Sequence, residues 1–259
     1  MPEGDTILRA ANRIRPVLEG AVPDEILTPQ ARHARDRWPE RLQGRAVTSV
    51  DAHGKHLFVR FEGDLVLHSH LRMTGAWAVY RHGARWRRAP RRAWLVLRAR
   101  GHEVVEFDGP VLDLMTEGRT RFDQRLAALG PDVLAEEFDE QLFVRRLRED
   151  DPTRALGDAL LDQRIVAGLG NIWKAEGCWG AALDPWRPLR TVSDTEALSV
   201  IANVRPRMQR AVDAPRKDPS DRHVYNRTGG LCHRCGMRIQ ARGQGDDNRT
   251  TYWCPGCQH

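Results

Sequence analysis

No stretch of this 259-residue chain holds the ~20 consecutive apolar residues that cross a bilayer. Its opening residues, Met1-Pro2-Glu3-Gly4-Asp5, carry neither the basic head nor the apolar run of a secretory leader. No segment repeats, so nothing suggests a solenoid or an array. Cysteine is sparse, with five in all, and nothing else in the chain has the look of a secreted disulfide scaffold. These absences leave the expectation of a soluble, cytoplasmic protein with no membrane partner, in a compartment where thiols stay reduced and bind metal.

Four of the five cysteines sit in two hooks, Cys232-His233-Arg234-Cys235 and Cys254-Pro255-Gly256-Cys257, with eighteen residues between them. That spacing is that of a tetrahedral zinc site whose hooks are joined by one small hairpin. Two structural disulfides are the weaker alternative. Four sulfur ligands leave no open position, so the expected Zn2+ is structural, one ion per chain. The fifth, Cys178, reads as a buried small hydrophobe. Lys plus Arg number 41 against 35 acids, a net +6 that favours an anionic partner, nucleic acid first.

Hydrophobic periodicity divides the chain. Residues 5–19 form an amphipathic helix with Ile7, Ala11, Ile14 and Leu18 on one face and Gly20 as its stop. Over 46–115 the period changes to short β-like runs at 47–50, 57–61, 65–71, 94–97 and 104–107. They predict an antiparallel sheet or sandwich. Helical patterns return at 139–148, 153–163, 171–181 and 194–212, and a Pro-containing polar linker is expected at 213–222. The segment 81–92 carries six arginines and one tryptophan. It reads as a solvated loop between strands, with phosphate contact as the alternative.

The amino terminus has chemistry of its own. Methionine is normally removed before a residue as small as Pro2, which leaves a secondary amine. An α-amino group of pKa ~7.7–8.0 is on the order of one-tenth neutral at pH 7. A helix beginning beside it presents its positive end and disfavours the ammonium form. Attack by a secondary amine on an aldehyde-level carbon gives a cationic iminium, an electron sink for eliminations. Glu3 is adjacent and suited to proton transfer. From the residues alone, an ordinary N-terminus remains the alternative.

Three segments carry a resemblance: Met1-Pro2-Glu3-Gly4, residues 160–176 with Gly168-Leu169-Gly170-Asn171 at their centre, and residues 249–259 with the second cysteine hook. Lesser matches lie at His53-Gly54-Lys55, at 69–75, at 129–134 and at 224–229. Together they span the chain in order. The sequence resembles the formamidopyrimidine-DNA glycosylase and endonuclease VIII family of bifunctional repair enzymes.

The resemblance implies a multidomain α+β fold: an N-terminal antiparallel β-sandwich flanked by helices (1–120), a helix–two-turns–helix domain (121–220) and a zinc-finger hairpin (221–259). It makes Pro2 the Schiff-base nucleophile, Glu3 the proton donor at the sugar, Lys55 the proton donor in β-elimination and Arg249 the phosphate contact of δ-elimination. Asn171 becomes a phosphate donor in a glycine turn; from the residues alone it is also a helix N-cap. Arg72 and Met73 fall on the loop that fills the gap left by a flipped base. Glu176 falls on a family position of less defined role.

Departures also count. The Asp-Pro-Arg-Arg-Phe run of the formamidopyrimidine branch is missing; residues 107–114 here read Phe-Asp-Gly-Pro-Val-Leu-Asp-Leu. The opening Pro-Glu-Gly points to the endonuclease VIII branch and oxidised pyrimidines. Lys174 stands where the family often has a small residue. The partner implied is damaged duplex DNA, bound by a monomer of bacterial, nucleoid-associated type with no organic cofactor. Oxidised-purine specificity and a non-catalytic zinc protein that binds damaged DNA stay open as alternatives.

Overall fold

The computed structural model describes residues 2–214 and 222–259; of the linker expected at 213–222, Asp213 ends a helix and residues 215–221 fall outside the described residues. The chain divides into two compact units, Met1–Ala127 and Ala128–His259.

In the first unit, helix α1 (Gly4–Leu18) buries Ile7, Ala11, Ile14, Val17 and Leu18, the face its periodicity marks. Two four-stranded antiparallel sheets follow. One holds β2 (Val47–His53), β3 (His56–Phe61), β4 (Leu65–His70) and β8 (Val111–Thr116), in that order. The other has the order β1 (Glu25–Leu27), β6 (Ala93–Ala99), β7 (His102–Phe107), β5 (Ala76–Arg81). α1 packs on strands of both. One core results, in which Ile14, Leu18, Val47, Val50, Leu57, Val59, Leu95, Leu97 and Val104 meet. Short helices α2 (Ala31–Ala34), α3 (Trp38–Leu42), α4 (Glu117–Phe122) and α5 (Gln124–Ala127) border the sheets.

In the second unit, α6 (Glu140–Arg148), α7 (Leu156–Ala159), α8 (Asn171–Gly180) and α9 (Asp194–Asp213) enclose a core of Phe143, Leu147, Leu160, Val200, Ile201 and Val204. Ser193 and Glu196 form a reciprocal capping box at the start of α9. β9 (Gln240–Gln244) and β10 (Arg249–Trp253) make an antiparallel hairpin in the same unit. The helix expected over 153–163 is corrected: only Leu156–Ala159 is helical, because Arg154 donates to the Asp150 and Asp162 carboxylates and to the Asp158 carbonyl, and Asp162 accepts the Arg164 amide instead. Among the described residues no helix is long and apolar enough to cross a membrane.

Candidate active site

In the first unit, the direction of α1 brings the proposed chemistry to one end of the sandwich. Gly20 N–H donates to Val47 O at 2.8 Å, and Arg15 Nε donates to Val50 O at 2.8 Å. The end of α1 therefore lies at the start of β2, and the helix runs back along the strand. Fifteen helical residues cover about 22 Å and seven strand residues about 23 Å, so Pro2 and Glu3 arrive at the far end of β2. That is where β2 turns through Gly54-Lys55 into β3. Glu3 is buried and sits at the N-cap position of α1, where its carbonyl accepts from Thr6 and Ile7.

The same end carries the Arg72 and Met73 loop. His56 pairs with His70 across β3 and β4, so Lys55 and the residues after His70 leave the sheet side by side. The loop closes by a bond from Gly75 N–H to Leu71 O at 2.9 Å. Leu71 is buried, an anchor of about 2 kcal/mol. A Cβ on Gly75 would come within 2.8 Å of Leu71 O, so the closure requires glycine. Between these anchors Met73 stands 69% exposed. Arg72 has φ 46°, a left-handed conformation that costs a non-glycine residue roughly 1–2 kcal/mol. Its N–H donates to His70 Nδ1 at 3.2 Å. Leu71 and Gly75 also line a cavity of about 190 Å³ with Thr6, Arg9 and Arg13 of α1.

Neutral imidazoles lie beneath this end. His56 Nδ1 and His68 Nε2 are 2.8 Å apart, so one donates and the other accepts. Among the described residues, His68 Nδ1 is buried without a hydrogen-bond partner. The cheaper tautomer has His68 Nε2–H donating, which leaves a lone pair rather than a proton unmatched. Burial, then His70, His68, His53 and Arg72, lower His56 to about 2. Burial, then Arg72, Lys55 and His68, lower His70 to about 4. Lys55 and Arg72 thus both lie within electrostatic reach of His70.

In the second unit, residues 168–170 turn the chain into α8, with Gly168 at φ 92°. The N-cap reading of Asn171 is corrected: Gly170 caps the helix, and Asn171 is its first residue. Asn171 is largely buried, and its Nδ2 donates to Thr250 O at 2.8 Å. One turn on, Lys174 is fully buried; its Nζ donates to Gln244 Oε1 at 3.1 Å and to Thr251 Oγ1. Both acceptors belong to the hairpin whose second strand begins with Arg249. Arg249 pairs with Asp247 through Nη2 to Oδ2 at 2.8 Å.

Glu176 shows a role that the residue pattern did not disclose. Fully buried on α8, it accepts the N–H groups of His223, Val224 and Tyr225 at 2.9–3.0 Å and pairs with Arg207 at 2.8 Å. One carboxylate thereby fixes the chain's entry to the cysteine hooks. The signals available in the sequence were its family position and its place on one helix with Asn171 and Lys174.

The sulfurs of Cys232, Cys235, Cys254 and Cys257 all lie within 4.8 Å of one another. Cys232 and Cys257 are 3.8 Å apart, and Cys235 and Cys254 are 3.4 Å apart. A tetrahedron with metal–sulfur bonds of about 2.3 Å has edges of about 3.8 Å, so these residues fit one metal ion. Burial opposes ionisation of Cys232, but hydrogen bonds from Trp179 Nε1 and from the amides of Arg234 and Cys235 bring it down to about 6. Cys178 lies outside the cluster, buried, its thiol pushed up to about 12 by burial.

The family described as "Formamidopyrimidine-DNA glycosylase N-terminal domain" matches residues 1–128, and "Formamidopyrimidine-DNA glycosylase H2TH domain" matches 129–221. The chain is 38% identical over 267 residues to "Probable endonuclease 8 2" of Streptomyces coelicolor, covering 100% of this chain and 94% of that one. It is 35% identical to "DNA-(apurinic or apyrimidinic site) lyase Nei2" of Mycolicibacterium smegmatis, covering 100% and 99%. It is 33% identical to the formamidopyrimidine-DNA glycosylase of Thermus thermophilus, covering 100% and 98%. Lactococcus lactis Fpg, solved in complex with abasic-site DNA, superposes with a TM-score of 0.84 at 24% identity over 99% of each chain, a likeness of fold.

Proposed function

The chain belongs to the formamidopyrimidine-DNA glycosylase and endonuclease VIII family of base-excision-repair glycosylase/lyases, and we propose that it excises oxidised pyrimidines from duplex DNA through a Schiff base at Pro2. The observation that carries this reading is the placement of Pro2 and Glu3 at the N-terminus of α1, at the sandwich end that also holds Lys55 and the Arg72 and Met73 loop.

The steps follow from these groups. Met73 wedges into the stack as the damaged nucleotide rotates out, a step costing a few kcal/mol. The neutral Pro2 amine attacks C1′, the C1′–N bond to the base breaks, and Glu3 donates a proton to the sugar as its ring opens. The resulting iminium withdraws electrons from C2′. Loss of the C2′ proton then expels the 3′ phosphate, with Lys55 as proton donor. Arg249, charged and bidentate, steadies the second phosphate while δ-elimination expels it. Hydrolysis of the iminium frees Pro2 and leaves a one-nucleotide gap. The α1 dipole supports the first step by disfavouring the ammonium form. Four thiolates suit Zn2+, whose task is to hold the hairpin carrying Arg249.

The 35–38% identity to the endonuclease 8 2 and Nei2 relatives, against 33% to the formamidopyrimidine glycosylase, supports the pyrimidine choice, as does the Phe107-Asp108-Gly109-Pro110 segment that stands where the Asp-Pro-Arg-Arg-Phe run is missing. An excision panel tests it: plain abasic sites, thymine glycol, dihydrouracil and 8-oxoguanine in matched duplexes. The reading expects abasic sites to be cut with phosphate on both ends, and the two pyrimidine lesions to be released ahead of 8-oxoguanine. Faster release of 8-oxoguanine would transfer the chain to purine specificity. Binding without cutting would make it a non-catalytic damage binder.

A further inference from the structure

We infer that the arginine segment joining β5 to β6 is a second DNA contact, a strip that grips the phosphate backbone outward from the wedge loop. This rests on the reading of DNA as substrate and adds a surface that the lesion chemistry does not use.

Residues 81–92 hold six arginines and no acid. The segment is not a free loop. Trp86 turns inward, edge-on to Phe107 at 5.5 Å and beside Tyr80, and its Nε1 donates to Glu103 at 2.7 Å. Arg87 N–H donates to Tyr80 Oη at 3.3 Å. Further on, Arg88 Nη1 donates to Thr74 O at 3.1 Å and to Asp108 Oδ2 at 3.0 Å, and Arg92 pairs with Asp108 at 2.6 Å. The path therefore starts at the Arg81 end of β5 and returns along it to the loop that presents Met73. Six strand residues make that path about 17 Å long, which spans about five base-pair steps at 3.4 Å each.

Two of the six guanidiniums are spent on Asp108, which they neutralise where an acid would repel phosphate. Arg81, Arg85, Arg87 and Arg91 are exposed and form no ion pair or side-chain hydrogen bond among the described residues. Charge set along a line and pinned at both ends suits a backbone of regularly spaced phosphates. A protein partner fits less well. The strip's one large aromatic, Trp86, faces the sheet, so the surface lacks the anchor that protein interfaces use. Arg88 ties the strip to Thr74 directly, which fixes it relative to Met73.

The test uses the full chain with Arg85→Ala, Arg87→Ala and Arg91→Ala together, leaving Arg88, Arg92 and Trp86 in place. Affinity for a duplex of about 30 base pairs with a central tetrahydrofuran site is followed against salt, where each phosphate contact contributes about 0.9 to the log–log slope. The expected slope falls by about 2.7 if all three arginines touch phosphate. Lysine at all three positions should restore it, since a merely structural role for the guanidiniums would not be rescued by charge. Nicking of an abasic duplex at saturating enzyme should keep its wild-type rate. A slope within about 0.9 of wild type overturns the strip, as does a lysine variant no better than the alanine one. If wild type binds the duplex but never nicks it, the catalytic reading falls while the strip stands; if wild type nicks and the slopes coincide, the strip alone falls.

Discussion

Asn171 Nδ2 donates to the carbonyl of Thr250 at 2.8 Å, which ties the first residue of α8 to the residue that follows Arg249. Lys174 repeats the tie one turn later through Gln244 and Thr251, and Glu176 repeats it at the entry to the hooks. α8 therefore acts as a spine on which the hairpin is mounted. The position of Arg249 depends on these buried polar bonds as well as on the cysteine hooks that flank the hairpin.

Lys174→Met should show that dependence. It removes a buried ammonium that donates to Gln244 Oε1 and Thr251 Oγ1 and leaves the Gln244 oxygen with the Thr251 hydroxyl alone, a loss of about 1–3 kcal/mol in the second unit. The effect on chemistry should be selective, because Arg249 is assigned to the second elimination. Product analysis on an abasic duplex should show β-product accumulating relative to β,δ-product, with Schiff-base trapping retained. An unchanged product ratio would separate Lys174 from the placement of Arg249.

Asp247→Asn should release Arg249 from its ion pair. An exposed pair of this kind is worth about 0–1 kcal/mol, so affinity for abasic DNA should rise, by about fivefold at most. Titrations of the two proteins at one salt concentration decide it. Weaker binding by the variant would mean that Asp247 orients Arg249 instead of competing with phosphate.

Cys254→Ser, or a strong chelator, should remove one equivalent of zinc per chain and weaken DNA binding. The sandwich of the first unit should stay folded. Metal analysis and near-ultraviolet circular dichroism follow the two effects separately. Loss of all tertiary signal would show that the first unit depends on the metal.

The histidines predict a pH dependence. His56 and His70 have folded pKa values of about 2 and about 4, below an unfolded value of ~6.5. The unfolded chain then binds more protons, so their contribution is complete above pH ~6.5 and is lost as pH falls toward those folded values. The groups around them are His53, His68, Lys55 and Arg72, with Asp113 and Asp123 partly countering burial at His68. Denaturant midpoints of the first unit should fall from pH 7.5 to pH 5, and His70→Asn should flatten that slope. A midpoint that does not move across this range would contradict neutral imidazoles.

Much of this was legible in the chain. The apolar spacing of Ile7, Ala11, Ile14 and Leu18 gave α1, and the hooks gave the four-sulfur cluster. Strand β5 escaped notice because its side chains are half-buried from Ala76 to Tyr80, with Arg81 exposed, so Ala76–Arg81 shows no clean alternation. The helix expected over 153–163 failed because Asp and Arg side chains in that stretch satisfy local backbone groups more readily than a helix does. At the site, the chemistry proposed for Pro2 could be reasoned from the residue itself, while the roles proposed for Lys55 and Arg249 came only with the family resemblance. Lys174 and Glu176 were not readable, since their meaning lies in bonds to residues some 50 to 80 positions away.

The most direct measurement is borohydride reduction of the protein on abasic DNA, followed by peptide mapping of the adduct. The account predicts a single cross-link on the amine of a chain that starts at Pro2, and its loss when an extra residue precedes Pro2. A cross-link on Lys55 or another side chain, or full activity from protein that keeps Met1, would contradict it.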